Sequence, residues 1–108
     1  MKISLSRTIV VMLPAALGLL LLAPGNAPAA GLGQFCGGIA AIRCDRGLFC
    51  EFPAPFCGLF DRSGTCQRIP RFCPHIFRPV CGCNGKTYPN DCVRQAARVS
   101  KRHDGRCP

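Results

Sequence analysis

Ten cysteines lie between Cys36 and Cys107, and they constrain this chain more than any other feature. They are Cys36, Cys44, Cys50, Cys57, Cys66, Cys73, Cys81, Cys83, Cys92 and Cys107. An even count at this density predicts five disulfides, provided the chain reaches an oxidising compartment. The N-terminus supplies that condition. Lys2 and Arg7 give a positive start, residues 9–23 are apolar with leucines from Leu19 to Leu22, and Ala27-Pro28-Ala29 offers small residues for a peptidase. Residues 1–29 therefore read as a signal peptide cut after Ala29. The apolar stretch falls short of the ~20 residues that span a bilayer, and no basic stop-transfer cluster follows it. The expected destination is secreted or periplasmic, with no membrane span left after cleavage.

What remains, residues 30–108, is too small to rest on a hydrophobic core. A chain of this size buries only about 60% of the surface it exposes when unfolded. There is no tryptophan, and aliphatic residues are scattered. Disulfides fill the gap: one closing a ~15-residue loop contributes about 3 kcal/mol in the chain-entropy account. A metal would be an alternative staple, with Cys81, Cys83 and either His75 or His103 as ligands. The spacing lacks the paired C-x2-4-C knuckles that zinc favours, so neither metal nor cofactor is expected.

Removing Lys2 and Arg7 from the 14 basic residues leaves 12 against 5 acidic ones, about +7. Arg98, Lys101, Arg102 and Arg106 form one basic cluster. It reads first as a solvated surface, and more sharply as attraction to anionic envelope surfaces, polysaccharides or acidic partners. No aromatic interleaving suggests nucleic-acid stacking. A monomer is expected.

Two parts are legible after the signal, 30–65 and 66–108. The first is rich in Gly, Pro and Cys, shows neither helical period nor clear strand alternation, and reads as a loop-rich, cysteine-knotted segment. Pro53 and Pro55 discourage regular structure there. In the second part, Val80-Cys81-Gly82 and Lys86-Thr87-Tyr88 flank Asn84-Gly85, a hairpin signal with an expected type I′ turn. Asn90-Asp91 offers an N-cap, and Cys92, Ala96 and Val99 fall on one face of a short helix. The fold class is small disulfide-rich α+β, a short hairpin packed on one helix.

The pattern Cys73-x7-Cys81-x10-Cys92, with Val80-Cys81-Gly82, Gly85-Lys86-Thr87-Tyr88 and Asn90-Asp91-Cys92, resembles the Kazal-type serine protease inhibitor domain. The Cys81-Gly82-Cys83 variant resembles bacterial members. The resemblance implies a convex loop from Cys73 to Cys81 that enters a protease cleft as a substrate does. Within it, Pro74, His75, Ile76, Phe77 and Arg78 form the reactive loop, with the scissile bond between His75 and Ile76. Tyr88 and Asn90 match the family's loop supports. The implied partner is a serine protease. His75 suits a subtilisin-like or chymotrypsin-like pocket better than a trypsin-like one, which wants a long cation.

The resemblance further implies the disulfides Cys73–Cys92 and Cys81–Cys107. The family's fifth cysteine is absent, since Val93-Arg94-Gln95-Ala96 occupy its place, while Cys83 is in surplus. Cys66–Cys83 then follows if Cys36, Cys44, Cys50 and Cys57 pair among themselves. The segment 30–65 weakly resembles insulin-like growth factor-binding-type modules and reads as a stapled spacer. The alternative function is a non-inhibitory Kazal-like protein-binding or structural module. An enzyme is not expected: His75, His103, Asp91 and Asp104 can be named as candidates, but neither Ser63 nor Ser100 sits in a nucleophile motif.

Overall fold

The structure, a computed structural model, describes residues 11–12 and 28–108. The signal-peptide reading thus falls almost wholly outside the described residues. Among these, no helix is long and apolar enough to cross a membrane.

Among the described residues, two small antiparallel sheets and one helix make up the fold. The first sheet holds β1 (Phe35–Gly37), β2 (Leu48–Glu51) and β3 (Ser63–Arg68), in the order β1-β3-β2. The second holds β4 (Val80–Gly82), β5 (Thr87–Tyr88) and β6 (Lys101–Asp104), in the order β5-β4-β6. Helix α1 (Asp91–Ala96) lies between β5 and β6 in the chain. This is the small α+β architecture expected.

The segment 30–65 is loop-rich as expected, and it also contributes short strands to the first sheet. Central strand β3 does alternate, but its inward positions are Gly64 and Cys66 rather than Val or Ile. Its core is largely sulfur, with Ala30, Cys36 and Cys66 buried and Ile42, Cys44, Leu48 and Cys50 packed against them. Cys36–Cys50 ties the outer strands β1 and β2 across β3, and Cys44–Cys66 ties the preceding loop to β3. Gly64 is what lets the first of these cross: a Cβ there would lie 2.6 Å from the Glu51 carbonyl oxygen and 2.8 Å from Cys50 Sγ.

All ten cysteines are bonded. Cys73–Cys92 and Cys81–Cys107 pair as the resemblance implied. Cys66–Cys83 does not form. Cys66 points into the core of the first sheet, where Cys44 has its Cα 5.7 Å away. Cys83, just past β4, instead meets Cys57, at a Cα separation of 5.6 Å. Of the four N-terminal cysteines only Cys36 and Cys50 pair with each other, while Cys44 and Cys57 pair outside that group. The boundary expected between residues 65 and 66 falls inside β3.

The hairpin joins β4 to β5, but not through a type I′ turn. Gly85 N–H donates to the Gly82 carbonyl at 2.9 Å, so Cys83 and Asn84 are the central residues of the turn. Only the following Gly85, at φ +78°, takes the left-handed conformation that favours glycine. Strand β6, which pairs with β4 from the other side, adds a third strand where only a stapled tail was expected. Helix α1 is shorter than expected, and its buried residue is Arg94, while Ala96 is exposed. The helix turns this face to a polar junction rather than to an apolar core.

Candidate functional site

Residues Pro74 to Arg78 are all exposed and outside any regular element. Ile76 and Phe77 present 52% and 67% of their surface to solvent, in a protein with few apolar residues to spare. A five-residue stretch so exposed would ordinarily be loose. Here it is held from both ends and from beneath. Cys73–Cys92 fastens its start to α1. Arg78 N–H donates to the Pro89 carbonyl at 2.8 Å, and Gly105 N–H donates to the Pro79 carbonyl at 2.8 Å. Pro74 and Pro79 fix their own φ angles, which lowers the entropy that ordering costs.

The central tether is Asn90, itself buried at 7% exposure. Its side-chain nitrogen donates to the Pro74 carbonyl at 3.2 Å and to the Ile76 carbonyl at 2.8 Å. Its oxygen accepts from Val93 N–H at 2.9 Å, capping α1. The cap determines which way the amide faces: with Oδ1 committed to a donor, the NH2 group must point at acceptors. Asn90 thus makes the cap bond and the two loop bonds at once. The two carbonyls it holds flank His75, so that residue is presented outward between two fixed points.

Tyr88 is buried in β5, but its hydroxyl accepts from Asn84 Nδ2 at 2.8 Å rather than reaching the loop. Its ring covers Gly82, where a Cβ would come within 2.9 Å of the ring. Tyr88 therefore supports the β4–β5 hairpin, and the loop only through it.

Beneath the loop lies a set of ion pairs that sequence reasoning missed. Arg94, 2% exposed, forms a bidentate pair with Glu51 of β2, with Nη2–Oε1 at 2.9 Å and Nη1–Oε2 at 3.0 Å. It also reaches Asp91 Oδ1 at 2.9 Å and donates to the Val99 carbonyl. Burial alone would lower the Arg94 pKa, but the hydrogen bonds and charges of Glu51 and Asp91 hold it above the ordinary value. Lys101 is likewise raised, first by its hydrogen bond to Asp104, with the charge of Asp91 adding to it. Ser100, also buried, accepts from Phe52 N–H at 2.9 Å, so its hydroxyl serves the junction between the sheets. Glu51 is the chain's single glutamate, placed directly after Cys50 in a basic protein, and that was the available signal.

The other candidates are not brought together as a site. Cys81 and Cys83 are in disulfides with Cys107 and Cys57. Sγ atoms of Cys36, Cys44 and Cys50 cluster within 4.8 Å, but all three are also disulfide-bonded and so are not available as thiolate ligands. His103 lies on β6, its Nδ1 2.7 Å from the Asp104 carbonyl oxygen, and Ser63 is exposed on β3.

This is a small disulfide-bonded protein in which the exposed stretch Pro74 to Arg78 is tethered at several points. The Kazal-type serine protease inhibitor domain matches residues 62–107. Turripeptide Gsp9.3 of Gemmula speciosa is 44% identical over 56 residues, covering 46% of this chain and 73% of that protein. Serine protease inhibitor Kazal-type 1 of Sus scrofa is 50% identical over 33 residues, covering 31% of this chain and 59% of that one. Ovoinhibitor of Gallus gallus is 49% identical over 41 residues, 32% of this chain but only 8% of that longer protein. The chain belongs to the Kazal family.

Proposed function

We propose that this protein inhibits a serine protease outside the cytoplasm, by presenting Pro74 to Arg78 to the protease cleft as a substrate would be presented. The scissile bond is His75–Ile76, with His75 filling the specificity pocket and Phe77 and Arg78 on the leaving-group side. The observation that carries this reading is the double tether of Asn90 to the Pro74 and Ile76 carbonyls. An inhibitor differs from a substrate in that its loop is already ordered before it binds. Ordering a free loop costs about 0.5–1.5 kcal/mol for each immobilised side chain, and here that cost falls on folding. After cleavage the same tethers would keep the new ends in place and favour religation over release.

His75 favours a subtilisin-like or chymotrypsin-like pocket over a trypsin-like one. Cleavage of the signal after Ala29 fits the fold, because the Ala30 nitrogen donates to the Arg43 carbonyl at 2.7 Å, a bond that a terminal ammonium also makes.

The test is titration of purified, disulfide-intact protein against subtilisin-, chymotrypsin-, elastase- and trypsin-like proteases. Stoichiometric inhibition of at least one is expected. Substitution of His75 by Leu, Lys or Glu should reorder the targets, with changes of about 2 kcal/mol or more, ~30-fold in affinity. Absence of inhibition across the panel at micromolar protein would overturn the reading.

A further inference from the structure

The C-terminal tail comes back against the loop. Gly105 is bonded to the Pro79 carbonyl, and Cys107 is held twice, by its disulfide to Cys81 and by its N–H donating to Thr87 Oγ1 at 2.9 Å. Arg106 is therefore pinned on both sides while its side chain stays exposed. Its guanidinium carbon lies 5.5 Å from the centroid of the Phe77 ring, within cation–π range. Phe77 is the second residue past the proposed scissile bond and Arg78 the third.

The charges nearby are unevenly matched. Asp104, the acid of the tail, is engaged by Lys101 at 3.1 Å, and Asp91 is engaged by Arg94 and Lys101. Among the described residues no ion pair involves Arg78 or Arg106. One flank of the loop thus carries an exposed aromatic ring with the unpaired Arg106 guanidinium beside it, brought from the far end of the chain, and the exposed, unpaired Arg78 next in sequence.

We infer that Arg106, with Phe77 and Arg78, forms a second contact surface that selects serine proteases bearing carboxylates on the leaving-group side of their cleft. This rests on the inhibitory reading above and adds to it a determinant outside the reactive loop. His75 sets which pocket accepts the loop. The cationic shoulder acts earlier, by drawing the approaching cleft into register through charge. Complementary charge at a rim changes association rate and salt dependence more than it changes the final contact. Stacking on Phe77 keeps the Arg106 guanidinium in one place, which limits the side-chain entropy lost on binding.

The experiment measures association and dissociation rates of the full protein with the proteases it inhibits, grouped by the number of carboxylates lining their leaving-group subsites. Arg106→Gln and Arg106→Glu are compared with the parent at low and high salt. For the carboxylate-rich group, Arg106→Gln should slow association by about three- to tenfold at low salt and Arg106→Glu by more, with the gap closing at high salt. For carboxylate-poor proteases the variants should match the parent. Arg106→Lys should recover most of the rate, because charge is kept. Equal association rates for parent and Arg106→Glu at low salt, in a protease still inhibited, would overturn this inference and leave the loop reading standing. Failure of the parent to inhibit any protease would remove both.

Discussion

Arg94 of α1 and Glu51 of β2 form a two-toothed ion pair at 2.9 and 3.0 Å, joining the two sheets at the stretch where the family's fifth cysteine is missing. Cys57–Cys83 also joins the two parts of the chain, linking the segment before β3 to the residue just past β4. A buried pair broken on one side leaves the other charge without its partner, the larger part of what such a break costs. Glu51→Gln keeps the shape and removes the charge. It should lower stability in guanidinium by about 1.5–3 kcal/mol, the range for a hydrogen bond to a charged group. Arg94→Lys should not rescue the junction, since a lysine cannot reproduce the forked contact with Glu51 while also reaching Asp91. A loss under about 0.5 kcal/mol for Glu51→Gln would show that the junction does not depend on the pair.

Asn90 performs two tasks that one substitution can separate. Asn90→Asp keeps the oxygen that caps α1 and removes both hydrogens that hold the loop, setting a carboxylate against two carbonyl oxygens. Asn90→Ala removes everything. Loss of the cap alone costs about 1 kcal/mol of stability. Loss of the loop tethers should weaken inhibition by about 1–3 kcal/mol, or 5- to 150-fold, and speed hydrolysis of His75–Ile76. The aspartate variant should therefore inhibit poorly and lose some stability while its helix cap is kept, and the alanine variant should lose cap and tethers together. Inhibition within twofold of the parent would mean that the tethers do not set the loop's shape.

The C-terminal half was legible because its signals are local. Asn84-Gly85 marks a turn wherever it stands, and Asn90 three residues before Val93 marks a cap. The N-terminal sheet was hidden because its inward positions carry Gly64, Cys36 and Cys66, which do not register as hydrophobic alternation. Disulfides replace Val and Ile as filling, so the period exists in burial and not in composition. Arg94 was hidden for a different reason. An arginine on a short helix reads as solvated, and its partner Glu51 lies 43 residues away, a pairing that spacing does not reveal. The proposed reactive loop, by contrast, was found only through the resemblance, since no local rule marks an exposed stretch as rigid.

Disulfide mapping tests the junction directly. Cleavage of the connector after Arg71 would separate the chain into two parts that share one bridge, Cys57–Cys83. Non-reducing mass spectrometry of peptides should recover Cys57 joined to Cys83 and Cys44 joined to Cys66. The double variant Cys57→Ser with Cys83→Ser should, once nicked there, come apart in denaturant without reductant. Recovery of a Cys66–Cys83 peptide would contradict the fold of the first sheet.

Gly64 shows how tightly that sheet depends on one missing side chain. A Cβ at this position meets a backbone oxygen at 2.6 Å and a bridged sulfur at 2.8 Å, and neither can swing aside as the tip of a flexible side chain would. Gly64→Ala must therefore push β2 away from β3, and Glu51, whose carbonyl is the obstacle, carries the other half of the Arg94 pair. Overpacking of this kind costs about 1–3 kcal/mol, and more where the backbone is crossed by a disulfide. Gly47→Ala is the control. Its Cβ meets nothing within 4 Å, but its φ of +79° strains any other residue, an expected cost of about 1 kcal/mol. Gly64→Ala should yield scrambled disulfides on refolding and a lower midpoint than Gly47→Ala, with a weaker Glu51–Arg94 coupling in a double-mutant cycle. Equal refolding yields and midpoints for the two variants would show that β2 and β3 have room the geometry denies them.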